Sequence, residues 1–172
     1  MPILYRARQF LRSMTAQVHP HQRQAVATIL SPELATLFFS MAPADQVHSL
    51  RVLQDLIKQG EEDADLLAAA LLHDVGKSRC PLSAVERAVI VLANRTLPQL
   101  VNRLGRRPAR GPLRAFSTAV QHPAWGAEMA AKAGGSSRLC TLIRFHQDLS
   151  GGIQGEDLGP LLQRLQQADN RH

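Results

Sequence analysis

The sequence is poor in aromatic residues, which make up 4% of the chain. An interior of stacked rings is therefore excluded, and packing falls to Leu, Ala, Val and Ile. Cysteine is scarce too: Cys80 and Cys140 stand apart with no CxxC spacing. No disulfide framework is indicated, the two are expected to be ordinary thiols, and a reducing compartment is the default. Long apolar runs are missing. The longest, LLAAALL and AVIVLA, fall far short of the roughly 20 residues that span a bilayer. The N-terminal stretch MPILYRARQFLRSMTAQ has no signal-peptide core, because Arg6, Arg8 and Arg12 interrupt it. These absences lead to the expectation of a soluble, cytoplasmic protein. There is also no internal repeat, no low-complexity tract and no convincing strand.

What is present suits one domain of ordinary size. The chain has 172 residues, 45% of them hydrophobic, enough for a real core. Leu and Ala dominate over β-branched runs, which favours helices. The expected fold class is all-α. The formal net charge is +6, and a basic surface concentrates anions. That suits phosphorylated substrates, nucleic acid or an acidic membrane face without choosing among them.

Helical punctuation is clear along most of the chain. Ile3, Leu4, Ala7, Phe10, Leu11 and Met14 recur at helical spacing, with the arginines largely off the stripe. A helix packed on the core is expected there; a basic amphipathic helix at a membrane surface is the alternative. Ser31-Pro32 opens a short helix through Leu34, Leu37 and Phe38. Pro43 and Asp45 start another, with Val47, Leu50, Leu53, Leu56 and Ile57 on its apolar face and Gly60 as its stop. Residues 62–73 read as a buried helix ended near Gly76. A long helix is expected over 83–104, followed by the basic loop GRRPARGPLR. Pro123 is read as the start of a helix that Gly134-Gly135 terminates. Ser136 or Ser137 caps the next, which carries Leu139, Leu142, Ile143 and His146. Gly151 and Gly152 form a loop, and a last helix holds Leu158, Leu161, Leu162, Leu165 and Asp169.

The strongest chemical signal is LLHDVGK, residues 71–77. A His-Asp pair at the end of an apolar helix places a carboxylate where it needs a cation or many hydrogen bonds. Imidazole nitrogen and carboxylate oxygen together suit a borderline or hard metal. A lone dipeptide says little, but His48, His122, His146 and Asp169 are each read as lying near a helix terminus. Helices can bring such ligands to a common site.

The order His48, His73-Asp74, His122, His146, Asp169 resembles the HD superfamily of metal-dependent phosphohydrolases. LLHDVGK looks like its signature, HPAWGAEMA (122–130) its His-Pro-x-x-Gly segment, LIRFHQ (142–147) its next histidine segment, and LQQADN (165–170) its closing aspartate segment. The resemblance implies a single-domain helical bundle over 41–172, with 1–40 as a helical extension packed on it. It implies a basic metal site of His48, His73, Asp74 and Asp169. His122 and His146 match the extra ligands of branches that hold two metals bridged by the aspartate. Lys77 matches a lysine that helps with the phosphate. The ligand order is also that of the HD-GYP branch, but Gln147-Asp148-Leu149 follow His146 and no Gly-Tyr-Pro occurs. Enzymes that cleave diadenosine tetraphosphate, and cyclic-di-AMP phosphodiesterases, are similar in pattern.

The implied activity is hydrolysis of a nucleotide or cyclic dinucleotide phosphoester, with Asp74 and Lys77 as the catalytic pair. Two divalent ions (Fe, Mn, Co, Ni or Zn) would activate the attacking water. The alternative is a non-catalytic HD module that binds a nucleotide or protein partner. A small anionic phosphorylated substrate is the expected partner. Nucleic acid is the less favoured one, because no aromatics interleave Arg106, Arg107, Arg110 and Arg114. Peripheral membrane contact stays open. His19 and His21 are read as a solvated loop, His172 as a frayed terminus, Trp125 as core, and Glu128 and Asp148 as surface residues.

Overall fold

The computed structural model describes residues 18–148 and 157–172. The helix expected over 3–14 and the Gly151-Gly152 loop lie outside the described residues. The helices run α1 (Pro20–Ile29), α2 (Pro32–Ser40), α3 (Pro43–Lys58), α4 (Ala64–Leu72), α5 (Ala84–Thr96), α6 (Pro98–Gly105), α7 (Arg114–Lys132), α8 (Ser137–Phe145) and α9 (Leu158–Asp169). Short 3-10 turns cover Val75–Arg79 and Gly111–Leu113. No strand occurs among the described residues, so the chain is an all-α bundle as its composition implied.

The bundle is arranged around α4. Residues 68–72 are all buried, and Leu66, Leu71 and Leu72 are fully enclosed. Small alanines let neighbouring helices approach closely. Leu50, Leu53 and Leu56 of α3, Leu139, Leu142 and Ile143 of α8, and Leu161, Leu162 and Leu165 of α9 complete the same cluster. Each such side chain contributes about 1.5–3 kcal/mol by leaving water. Val26, Leu30, Leu34 and Phe38 add α1 and α2 to that core.

Caps fix where the central helices begin. Asp63 accepts a hydrogen bond from the Leu66 amide at 2.9 Å, and Ser136 accepts one from Leu139 at 3.0 Å. Gly60 and Gly134 take left-handed backbone, each with φ of 82°, at the ends of α3 and α7.

Several expectations need correction. The single helix over 83–104 is two: Leu97 leaves helical backbone at φ −139° and ψ 53°, ahead of Pro98. Proline disfavours helical geometry in the residue before it. Pro123 does not start a helix; it lies inside α7, nine residues after Arg114. His19 and His21 are both exposed, as expected, but only His19 lies outside a helix, as the N-cap of α1; His21 is in its first turn and the two rings stack at 5.6 Å between centroids. Ile57, expected on the buried face of α3, is 51% exposed.

Candidate metal centre

The 3-10 turn after α4 sets the site. Gly76 sits against α7 so closely that a Cβ there would collide with the His122 carbonyl and meet the Gly126 amide nitrogen at 2.7 Å. That contact brings His73 and Asp74, at the end of α4, beside His122 on α7. His48 comes from the second turn of α3, His146 directly follows α8, and Asp169 is the last residue of α9. All six predicted side chains therefore converge. His48 and His122 do so from inside their helices, not from the termini where the sequence reading put them.

Their geometry divides at Asp74. Its Oδ2 lies 2.6 Å from Lys77 Nζ, 3.6 Å from His73 Nε2 and 4.0 Å from His48 Nε2. Its Oδ1 lies 3.3 Å from His122 Nε2 and 3.9 Å from His146 Nε2. On the first side, Asp169 Oδ1 is 2.8 Å from His48 Nε2 and 3.6 Å from His73 Nε2. The donor atoms form two groups, His48–His73–Asp169 and Asp74–His122–His146, each within 4.8 Å.

Three of the histidines are oriented by one device. The Nδ1 of His73 donates to the Ala70 carbonyl at 3.1 Å, that of His122 to Ala119 at 3.1 Å and to Thr118 at 2.9 Å, and that of His146 to Ile143 at 2.8 Å. A proton on Nδ1 leaves Nε2 as a lone pair. Pro123 contributes at His122. It has no N–H, so the Ala119 carbonyl, its helical acceptor, is left for the imidazole.

The fit to a cation rests on two orphans. His122 Nε2 and His146 Nε2 are buried with no hydrogen-bond partner. A buried unsatisfied polar atom costs about 1–3 kcal/mol. Both face the carboxylate oxygen of Asp74, an acceptor that cannot satisfy them. A cation between the three satisfies all of them. The donor set of imidazoles and carboxylates suits divalent metals, and the residues present fit such a group.

Electrostatics agree. Burial acts to raise the Asp74 carboxyl, but Lys77, His73 and His122 hold it well below the ordinary carboxylate value. Burial likewise opposes ionisation of Asp169, and the 2.8 Å hydrogen bond with His48, together with the nearby His73, overrides it. His146 is pushed down to about 3, first by burial and then by His73 and His122. It is neutral at physiological pH, as a ligand must be. His73 goes the other way: burial lowers it, but Asp74 and Asp169 raise it.

The sequence reading missed a brace. Arg87 of α5 holds Asp45 of α3 through paired hydrogen bonds of 2.6 and 2.8 Å. Burial weakens the Lys77 ammonium, yet Asp74 and then Asp45 hold its pKa above the ordinary lysine value. Only the placement of Asp45 in a first turn hinted at this. Trp125 is half-buried under Arg79, whose guanidinium lies 5.3 Å from the ring centroid. Glu128 is 52% exposed and 3.6 Å from Arg79. His172 is tied, not frayed, at 3.1 Å from Asp55.

No curated protein and no solved structure matches the chain. The HD domain family, whose members are generally metal-dependent hydrolases, matches residues 46–172, a span that holds all six converging side chains, and the chain belongs to that family.

Proposed function

We propose that the protein is a metal-dependent phosphohydrolase or phosphodiesterase acting on a nucleotide or cyclic dinucleotide, of the branch that holds two cations. The division of Asp74 carries the reading: one carboxylate oxygen faces each ligand group. His48, His73, Asp74 and Asp169 would hold one cation, and Asp74, His122 and His146 the other. Fe, Mn, Co, Ni or Zn suits this donor set better than Mg. When bound, such cations lower the pKa of water to near neutrality and offset charge on phosphoryl oxygens. The ligand order relates the chain to the HD-GYP branch, and the missing Gly-Tyr-Pro loop sets it apart. We further propose 41–172 as the HD domain and 1–40 as its extension.

The chain's own groups have definable roles in this reading. Lys77 keeps Asp74 ionised through the 2.6 Å contact, and its side chain is 31% exposed, so the ammonium can meet a phosphoryl oxygen of the substrate. The backbone carbonyls behind His73, His122 and His146 hold the Nδ1 atoms and so turn the Nε2 atoms toward the site. The buried faces of α4, α7 and α8 exclude water from the rear of the site.

A panel of nucleotides and cyclic dinucleotides with added Mn or Fe, run against Asp74→Ala, tests the proposal. Expected are chelator-sensitive turnover and a loss of about 100-fold or more in the variant. Protein that purifies free of transition metal, with no chelator-sensitive turnover, would instead be a non-catalytic HD module.

A further inference from the structure

The helix α5 is apolar on a side that is exposed among the described residues. Of its thirteen residues only Ile90 is buried. Val85 is 73% exposed, Val91 66% and Leu92 64%, with Val89 at 49%. At helical spacing, Val91, Arg95, Ala88, Leu92, Val85 and Val89 fill one continuous arc of about 160° opposite Ile90. Leu97 and Leu100, at 55% and 44% exposure, extend the same apolar surface into α6. Monomeric proteins scatter exposed aliphatics singly, and a contiguous set marks an interaction surface.

Charge indicates what it meets. Residues 87–127 contain seven arginines and no acidic residue. Arg87 and Arg114 are paired with Asp45 and Glu86. Arg95, Arg103, Arg106, Arg107 and Arg110 are exposed. A second copy packed on this face would set guanidinium against guanidinium. A nucleic acid would use the arginines but leave the Val and Leu side chains in contact with phosphate and sugar, and α5 and α6 offer no aromatic ring for a base. Aliphatic side chains beside unpaired arginines match a surface that is acidic at its face and hydrocarbon just beneath.

We propose that α5, α6 and the arginine loop after them form a docking face for an anionic lipid surface. The aliphatic arc enters the acyl boundary, and the arginines meet lipid phosphates. The brace from Arg87 to Asp45 joins this face to the helix that carries His48, so docking holds the HD site beside the bilayer.

Co-sedimentation of the full chain with vesicles tests this. One set is phosphatidylcholine alone and the other contains about 30% phosphatidylserine. Binding is expected to the acidic vesicles only, and it weakens as salt is raised from about 0.1 M to about 0.5 M. Replacing Arg106, Arg107 and Arg110 together by Gln is expected to weaken binding about 100-fold, since each cation near an acidic surface is worth about five-fold. Val91→Ser with Leu92→Ser is expected to weaken it about ten-fold or more while leaving the thermal midpoint unchanged. The inference is overturned if the chain ignores acidic vesicles or binds neutral ones equally. It is also overturned if binding survives both variants, or if the serine pair lowers the midpoint by several degrees, since the face would then already be packed against the chain itself. Salt-sensitive binding to nucleic acid that is indifferent to the serine pair, with no vesicle binding, would likewise assign the arginines to a different partner.

Discussion

Each buried histidine of the site gives its Nδ1 proton to the carbonyl three residues before it. The consequence is a dependence on pH that belongs to single residues. His146 ordinarily titrates near 6.5, and the fold pushes it down to about 3. Between those values the unfolded chain binds a proton that the folded chain refuses, so stability is full above about 6.5 and falls as pH drops toward 3. His73 is raised, so its contribution is present in acid and lost as pH rises. The two oppose each other, and a variant separates them. In chelated protein, the urea midpoint of the native chain is expected to fall more steeply between about pH 6.5 and 4 than that of His146→Gln. Equal slopes would remove His146 from this account. Gly76 supports a second expectation. A Cβ there runs into α7 backbone at His122 and Gly126, which no rotamer change relieves. Gly76→Ala is expected to cost about 1–3 kcal/mol by urea unfolding and to lower bound metal in parallel, because it separates Asp74 from His122.

Helices in this chain differ widely in how firmly they are held. Six of the nine residues of α4 are buried, whereas α5 meets the bundle through Ile90 and the ion pairs of Arg87 and Glu86. Amide hydrogens of α5 are expected to exchange well before those of α4, and Leu71→Ala to cost about 2–5 kcal/mol where Val91→Ala costs little. Comparable protection across both helices would contradict this. The same contrast explains what was legible. α3, α4, α8 and α9 bury a regular stripe, so the spacing of Leu50, Leu53, Leu56 or Leu139, Leu142, Ile143 locates them. The segment over 83–104 is apolar on its exposed side, so its pattern carries no inward signal, and the break at Leu97 had only Pro98 to announce it. Pro123 misled because a proline normally opens a helix. Here an imidazole takes the carbonyl it frees.

Across the whole molecule, the site is where separate helices are joined. α3, α4, α7, α8 and α9 each deliver one of the six converging side chains or end beside one. The sequence supplied the identities of these residues, because their order is a pattern along the chain. It did not supply the split of Asp74 between two groups or the Asp45–Arg87 brace, which exist only once the helices pack. The last helix shows why the assembly holds. Besides its leucines, it is tied by Arg164 to Glu61 at 2.7 Å and followed by Arg171 and His172 at Asp55. Such exposed pairs are individually worth little. Asp169 is therefore held chiefly by packing and by its 2.8 Å hydrogen bond with His48. A cation gripped from so many elements binds the folded chain and not the unfolded one, so it stabilises by mass action, by about 2.7 kcal/mol at a hundredfold excess over its dissociation constant. For a chain of this length that corresponds to a rise of roughly 5–10 °C in Tm. Scanning calorimetry with and without Mn or Fe is expected to show that rise, reversed by a chelator. In Asp74→Ala, which removes the residue shared by both groups, the metal-dependent part of the rise should vanish. A Tm indifferent to metal in the native chain would mean that the converging imidazoles and carboxylates grip no ion.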